Sequence, residues 1–578
     1  MKLLFVHPND SPVEGPWSET RWDYVIDLGW AGEPTYGEWG LRMGCPVRGF
    51  YSFAQGPDDF RRIADILRPC LGTLVDEQGL DWWDILAPMR AQELLQLVLM
   101  KRVALEVGSA ELVGTHYHPL AELYAKAAGR EIQFAVARRE SAWGRQFRRF
   151  RNAARVLSPS QLVQASFDKW DMDYRLRARW ALRGRRESDG AVLLPSGYTN
   201  VTRILNAYAS LLPEQNFLLV TTRRDGEMRR LARNVRSLPL AGFAAVVLSD
   251  STGREVRSLE ERWGRLQEGP LRDSSELSLA QDSGWFNDIG KTFERWLRIR
   301  DAWRNVLQLG RISAVLCGDE NNCTNRIPAL LARRQKLPTV HCHHGALSVL
   351  LPLRVPACDT DLVKGAMEND FMTRMLSIDP SRIVQGAPAE VFPVGSASIR
   401  QTGSSFGPIV FFSEQHELTL GRTHILYQEL LPPLCAIARS HGTRVIVKLH
   451  PFESPASRRR LLKAVLSAME REVVDLVHGP LTEELLRSIW FSVTVESSVC
   501  VDCAIRGIPC FVCSWFVTPI AGYEKQFLRY GAAYSLTCPA EILRIPSVVK
   551  DLRITPELQQ GLWNPIAPAK LDALLRKP

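Results

Sequence analysis

The sequence predicts an α/β protein built on parallel sheets and divided into two doubly wound domains. Three observations lead there. Short β-branched or aliphatic runs recur along the chain, each closed by a Gly, Pro, Ser or His turn and followed by a helical pattern, the rhythm of parallel strands joined by crossover helices. At 578 residues, 46% hydrophobic and 23% charged, the chain is long for one core and has the composition of an ordered globular protein. A Ser/Gly/Pro-rich stretch, Pro388 to Pro408, separates two parts that both carry the pattern.

In the N-terminal part, Leu3 to Val6 and Tyr24 to Leu28 read as strands. The first is too short for a signal-peptide core before His7-Pro8-Asn9-Asp10, and no apolar run reaches membrane-spanning length. Glu111 to Gly114 and Ile132 to Val136 flank a helical pattern over Leu120 to Ala128. Ala191 to Leu194 leads through the turn Pro195-Ser196-Gly197-Tyr198 into a helix over Asn200 to Leu212, and Phe217 to Thr221 is the next strand. Leu240 to Trp303 reads as a charged helical insertion with a polar loop around Asp273 to Asp282. Ser313 to Cys317, Thr339 to Cys342 and Thr360 to Val363 resume the strand pattern. The expected organisation is an N-terminal acceptor-type domain over 1–390, with a basic segment at 138–186 and the insertion at about 240–303, a linker over 391–408, and a C-terminal domain over 409–578.

Ile409 to Phe412 opens that last domain. Arg444-Val445-Ile446-Val447 is short and β-branched, and Pro451 in Lys448-Leu449-His450-Pro451 removes the next ladder donor and stops it. Ser454 as N-cap and Pro455 at N1 begin a helix through about Glu472. Phe491 to Val495 and Ser498 to Arg506 repeat the plan, Gly507 is the C′ stop, and Ile508 to Val512 starts the next strand. Ligands of open parallel sheets bind where strands end, and helix N-termini there favour anions. His450 and Glu496-Ser497-Ser498 lie at two such ends, and the polar turn Ser413-Glu414-Gln415-His416 at a third. Singly these are what caps and turns look like; their recurrence in adjacent βα units points to a phosphate-bearing ligand.

The His450-Pro451 and Ser497-Ser498 pair resembles the His-Pro and Ser-Ser motifs of bacterial glycosyltransferases of the GT-B type, with two Rossmann-like domains facing a central cleft. That group includes polysialyltransferases, β-Kdo transferases and polyglycerol-phosphate polymerases. The resemblance covers mainly Gly407 to Val517, with a weaker echo from Ser313 to Pro388. It implies a nucleotide donor, usually a cytidine one, with His450, Pro451, Lys448, Glu496, Ser497, Ser498, Ser413 and Gln415 around its phosphates. The expected reaction is transfer of a CMP-activated acidic sugar, such as Kdo or sialic acid, to a surface glycan of capsule or lipopolysaccharide type or to its lipid-linked precursor. A nucleotide-sugar 2-epimerase, a CDP-glycerol glycerophosphotransferase and a non-catalytic polysaccharide-assembly protein are the alternatives.

Transfer with inversion needs a carboxylate or histidine to take the acceptor hydroxyl's proton. Gly318-Asp319-Glu320-Asn321-Asn322 and His341-x-His343-His344-Gly345 each follow a predicted strand, so Glu320, Asp319 and His344 are the candidate bases. Asn321 breaks the acidic-acidic-Gly signature of some sialyltransferases. His116, His118 and His343 are candidates for the acceptor. Asp171-Met172-Asp173 and Asp359-Thr360-Asp361 match the Asp-x-Asp pairs that hold a divalent ion in single-domain transferases, but neither follows the strand that layout requires. The expectation is metal-independent donor binding without a cofactor, with N–H groups, serines and His450 in place of the ion.

The net charge of +9 is concentrated. Between Arg138 and Arg186 stand fourteen Lys or Arg against four Asp or Glu, interleaved with Trp143, Phe147, Phe150, Trp170, Tyr174 and Trp180. Such a face suits the anionic inner leaflet or a lipid-linked acceptor, and equally a solvated helix pair with its aromatics turned inward. No nucleic-acid-binding motif accompanies it. Twelve scattered cysteines suit a reducing cytoplasm. Cys500-x-x-Cys503 and Cys510-x-x-Cys513 imitate a zinc site, but residues three apart in a strand face opposite ways, so buried free thiols are expected.

Overall fold

The computed structural model describes residues 1–6, 15, 17–28, 44–86, 91–107, 111–116, 118–136, 190–223, 226–228, 230–244, 249–282, 284, 286, 289–309, 311–345, 347, 356–388, 406–414, 423–450, 453–479, 481–516, 523–552 and 555–576. The basic segment 138–186, Asp171 and Asp173, Pro451, Gln415 and nearly all of the expected linker 391–408 lie outside them. No described helix is long and apolar enough to cross a membrane.

Among the described residues, three parallel sheets organise the fold. The first runs β3-β2-β1-β4-β5, from β1 (Lys2–Val6), β2 (Tyr24–Asp27), β3 (Val47–Gly49), β4 (Glu111–His116) and β5 (Ile132–Val136). Leu4, Val6, Trp17, Trp22 and Val25 form its core cluster. The second runs β12-β11-β10-β9-β6-β7-β8, from β6 (Ala191–Ser196), β7 (Phe217–Thr221), β8 (Val235–Pro239), β9 (Ile312–Cys317), β10 (Thr339–His341), β11 (Thr360–Val363) and β12 (Ile383–Gln385). The third runs β15-β14-β13-β16-β17-β18, from β13 (Ile409–Phe412), β14 (Val445–Lys448), β15 (Val474–Val477), β16 (Phe491–Thr494), β17 (Cys510–Cys513) and β18 (Tyr534–Leu536). Strands buried on both faces, such as Leu-Leu-Phe-Val in β1 and Ile-Val-Phe-Phe in β13, read as continuous apolar runs, as parallel sheets require.

Counted within its own sheet, each series has the order 3-2-1-4, extended by further strands on the far side, so winding reverses between β1 and β4, β6 and β9, and β13 and β16. The crevice at the strand C-terminal ends beside such a reversal is where ligands bind in this architecture.

By compactness the chain divides into two units: 1–56, 99–165 and 394–562, and 57–98, 166–393 and 563–578. This departs from the sequence reading in two ways. Residues 1–390 carry two parallel sheets, not one. The C-terminal segment leaves the third sheet and joins the second, where Ile566, Leu571 and Leu575 enter the core with Val192, Leu205 and Leu316. The amide of Asn564 donates to Lys364 O at 2.7 Å and that of Ala387 to Asn564 O at 2.7 Å. A Cβ on Gly386 would stand 2.7 Å from Ile566 Cβ, so a glycine admits the segment.

The insertion is a helical layer, principally Asp250–Glu268 and Ile289–Leu309, and the expected polar loop contains the helix Ser275–Asp282 with Glu276 and Leu277 buried. Arg300, 1% exposed, bridges Glu255 (2.7 and 2.8 Å), Asp76 (2.9 Å) and Asp301 (2.7 Å), which explains how so charged a segment packs.

Candidate functional site

On the six-stranded sheet, β14, β13 and β16 are neighbours, so His450, Ser413-Glu414 and Glu496-Ser497-Ser498 emerge along one edge, beside the β13–β16 reversal. The residue that shapes this edge is Glu453, 1% exposed. One carboxylate oxygen accepts the His450 amide at 2.7 Å; the other accepts the Ser413 hydroxyl at 2.7 Å and Arg458 Nε at 2.7 Å. The turn after β14 is thereby tied to the end of β13. Burial raises the pKa of Glu453, with Arg458 and Ser413 acting against it.

Several expectations change here. Lys448 is buried, and its ammonium donates to Gly479 O at 2.6 Å and Leu449 O at 3.1 Å, a tether within the sheet edge. Ser413 is buried between Tyr427 and Glu453, likewise structural. Arg458 is buried against Glu453 at 2.6 Å, while its neighbours Arg459 and Arg460 are exposed. His450, Glu496, Ser497 and Ser498 remain half-buried at the edge. Ser498 occupies the N-cap position of the helix Val499–Ala504 without a side-chain capping bond, and Ser497 Oγ accepts the Val499 amide at 3.4 Å. Burial and the Lys448 charge lower the pKa of His450, keeping the imidazole neutral near pH 7.

Glu414 enters the site as a group of its own. Its Oε1 accepts the Thr494 hydroxyl at 3.2 Å and the Glu496 amide at 3.4 Å, directly across the β13–β16 reversal. Burial pushes its pKa up to about 7, against those two hydrogen bonds.

On the seven-stranded sheet, β10, β9 and β6 are neighbours, and their ends bring together His344, Asp319 and Tyr198. The Tyr198 hydroxyl donates to Asp319 Oδ2 at 2.6 Å and lies 3.1 Å from His344 Nε2. Asp319 Oδ1 accepts the amides of Asn321 at 3.2 Å and Asn322 at 3.3 Å. His344 Nδ1 stands 3.3 Å from Gly318 O, which can only accept, so Nδ1 carries the proton and Nε2 is the basic atom. Burial lowers the pKa of His344, and Asp319 acts to raise it. Burial and Asp319 together drive Tyr198 well up, fixing it as a neutral donor.

Glu320 does not join this set. It follows Asp319 and points the other way, fully buried, accepting the Ala357 amide at 2.8 Å and facing Arg326 and His341 at 3.9 Å each. His341 in turn lies 3.1 Å from Asp361. Burial lowers its pKa, but Glu320 and Asp361 outweigh burial and bring it to about 9. Asp359 pairs with Arg333 at 2.7 Å. His343 accepts the Gly345 amide on Nδ1 at 3.2 Å and stacks beside His344, ring centroids 4.4 Å apart. His116 and His118 belong to the first sheet, in the other unit from His343. His116 is exposed against the Trp17 edge, and His118 Nδ1 caps the helix Pro119–Ala127 by accepting the Leu120 amide at 3.1 Å.

Among the described residues, two groups of ligand-type atoms lie within metal-binding reach of one another, Asp319 with His343 and His344, and Glu320 with His341 and Asp361. Both are already knit by hydrogen bonds, and Arg326 and Arg382 stand beside the second as counter-charges. Cys500, Cys503, Cys510 and Cys513 are free and buried.

Tyr198 and Glu453 are what sequence reading missed. Tyr198 was visible only as a turn residue; its position after the first strand of a reversal was the available signal. Glu453 lay two residues beyond His450-Pro451, where a buried acid gives no pattern.

No family model and no curated protein matches the chain by sequence. Among solved structures, it is similar to the UDP-GlcNAc 2-epimerase from Neisseria meningitidis bound to UDP-GlcNAc, at 12% identity over 67% of this chain and 97% of that one, with a TM-score of 0.38. It is also similar to the UDP-GlcNAc 2-epimerase from Methanocaldococcus jannaschii (10% identity, 68% and 100% covered, TM-score 0.41) and to the calicheamicin glycosyltransferase CalG4 (12%, 68% and 99%, 0.41).

Proposed function

We propose that the protein is a glycosyltransferase using a nucleotide-sugar donor, preferentially a CMP-activated acidic sugar such as Kdo or sialic acid, with a surface glycan or its lipid-linked precursor as acceptor. One observation carries the reading: His450, Glu414 and Glu496-Ser497-Ser498 leave three adjacent parallel strands at a winding reversal of the six-stranded sheet. Phosphate ligands are held at such an edge by hydroxyls and backbone N–H groups. Ser497, Ser498 and neutral His450 address the donor phosphate. Glu414, protonated below about pH 7, can stand near it without adding charge.

Within the second unit, His344 Nε2 is the basic atom and is the group proposed to take the proton of an acceptor hydroxyl. Tyr198 and Asp319 orient and polarise the histidine. Donor binding is metal-independent, and the protein works on the cytoplasmic side of a membrane that carries its acceptor.

The test is nucleotide release from CMP-Kdo, CMP-sialic acid, CDP-glycerol and UDP-GlcNAc, with and without a glycan acceptor, for the native chain and His344→Ala. Acceptor-dependent CMP release lost in His344→Ala supports the transferase. Acceptor-free conversion of UDP-GlcNAc to its 2-epimer identifies an epimerase, a phosphodiester product from CDP-glycerol the glycerophosphotransferase, and inertness with every donor an assembly protein.

A further inference from the structure

The crevice between β6 and β9 holds polar groups that the Tyr198–Asp319–His344 set does not use. Asn325, in the first turn of the helix Cys323–Arg334, is fully buried, and neither atom of its amide has a hydrogen-bond partner. Nearly all buried amides are satisfied, so this group stands out. It faces Gly197: a Cβ built on that glycine would lie 4.0 Å from Asn325 Nδ2, 3.2 Å from Asn322 Nδ2 and 3.4 Å from Thr222 Oγ1. Asn322 turns its Oδ1 to the Thr324 amide at 3.0 Å and hydroxyl at 2.6 Å, which leaves its NH2 end for the crevice. Two amide NH2 groups, and a Thr222 hydroxyl that donates only a long bond to Ser196 O at 3.4 Å, therefore surround a residue with no side chain of its own.

The electrostatics favour an anion. Two helices of 12 residues begin here, Thr199–Ser210 and Cys323–Arg334, and neither has an acidic residue in its first turn. Burial raises the Cys323 thiol to about 12, and the charges of Arg223 and Arg295 act against that rise, so both reach the start of the second helix. The carboxylate of Asp319 is the opposing charge, and it is covered by the Tyr198 hydroxyl and two backbone amides.

We propose that this crevice is a phosphate subsite, in which Nδ2 of Asn322 and Asn325 and the Thr222 hydroxyl hold a phosphate oxygen against Gly197, with Arg223 and Arg295 supplying positive potential. It belongs to the second unit, and the donor edge of the six-stranded sheet to the first. Its substrate class deepens the transferase reading, on which it rests in this respect alone: the acceptor carries a phosphate or diphosphate.

The test is calorimetric titration of inorganic pyrophosphate into the full chain bearing Ser497→Ala and His450→Ala, so that the donor edge is disabled, and then with Asn325→Leu or Thr222→Val added. The expected result is one remaining pyrophosphate site, weakened at least tenfold by either addition. Thermal midpoints should hold or rise for Asn325→Leu, since a leucine of similar volume removes an unsatisfied amide. Geranyl diphosphate as a second probe distinguishes sources: tighter binding than pyrophosphate assigns the subsite to a lipid-linked phosphate, and equal binding to the phosphate alone. No pyrophosphate site in the disabled background, or one indifferent to both additions, overturns the proposal. CMP binding to Asn325→Leu with an otherwise native chain reports separately on the donor reading.

Discussion

The hydroxyl of Tyr198 donates to Asp319 Oδ2 at 2.6 Å and its oxygen lies 3.1 Å from His344 Nε2, so one group after β6 touches groups that follow both β9 and β10. Burial keeps the histidine neutral near pH 7, and the carboxylate tempers that effect. Removing the carboxylate charge lowers the histidine pKa further. For Asp319→Asn, the acid limb of the rate profile should move to lower pH while the maximal rate falls roughly 10- to 100-fold, because proton transfer by a positioned base contributes about 10²–10⁴. A pH–rate profile measured on both proteins checks it, and an unmoved limb would separate Asp319 from the titration of His344.

Glu414 gives the donor edge a pH dependence of opposite direction. Its folded pKa of about 7 lies above the 4.5 of an ordinary glutamate, so the carboxyl is largely protonated below pH 7 and charged above it. Nucleotide affinity should fall as pH rises from 6 to 8, as a new negative charge meets the phosphate. Glu414→Gln should flatten that slope. Titrations of CMP at several pH values read it directly.

The Glu453–Arg458 pair is a stability element. Both side chains are nearly inaccessible, and removing one partner leaves a buried charge, a loss of about 3–5 kcal/mol. Glu453→Ala should therefore lower the unfolding free energy by that order and weaken nucleotide binding through the turn at His450. Denaturant unfolding with a double-mutant cycle including Arg458→Met tests it; additivity would show that the two side chains do not couple.

His341 makes the second unit sensitive to alkali. Its pKa rises from 6.5 to about 9 on folding, so the stabilisation is fully present below pH 6.5 and is lost as pH climbs through 9. His341→Gln should remove this slope, as measured by thermal unfolding between pH 6.5 and 9.5.

The C-terminal segment should matter to the seven-stranded sheet. Leu571 is fully buried, and Leu571→Ala should cost about 2–5 kcal/mol. Local hydrogen exchange should rise in β9 and β10 while β13 and β14 keep their protection.

What the sequence made legible follows from burial. Central strands such as β6, β9, β13 and β16 are buried at every position but Ser313, and sequence reading finds them within a residue or two. Its misses are β3, β8, β12, β15 and β18, all at sheet edges, where Val474–Val477 is only half-buried and Ile383–Gln385 likewise. An edge strand lacks the second apolar face that makes a parallel strand conspicuous. The site divides in the same way. His450, Ser497, Asp319 and His344 were legible because each follows a strand, whereas the side-chain direction that buries Lys448 and Glu320 depends on partners far along the chain, Gly479 and Ala357. The destination of 563–576 was illegible because its apolar residues fit a helix on any sheet.

The measurement that tests the central claim most directly is calorimetric titration of CMP into the native chain, Ser497→Ala and His450→Ala, each with a matched unfolding curve. The account predicts a single site in the native protein, weakened at least tenfold by either substitution while stability holds, because both groups sit half-buried at the sheet edge and outside the core. CMP binding of equal affinity in all three proteins would contradict it and place the nucleotide away from the reversal between β13 and β16.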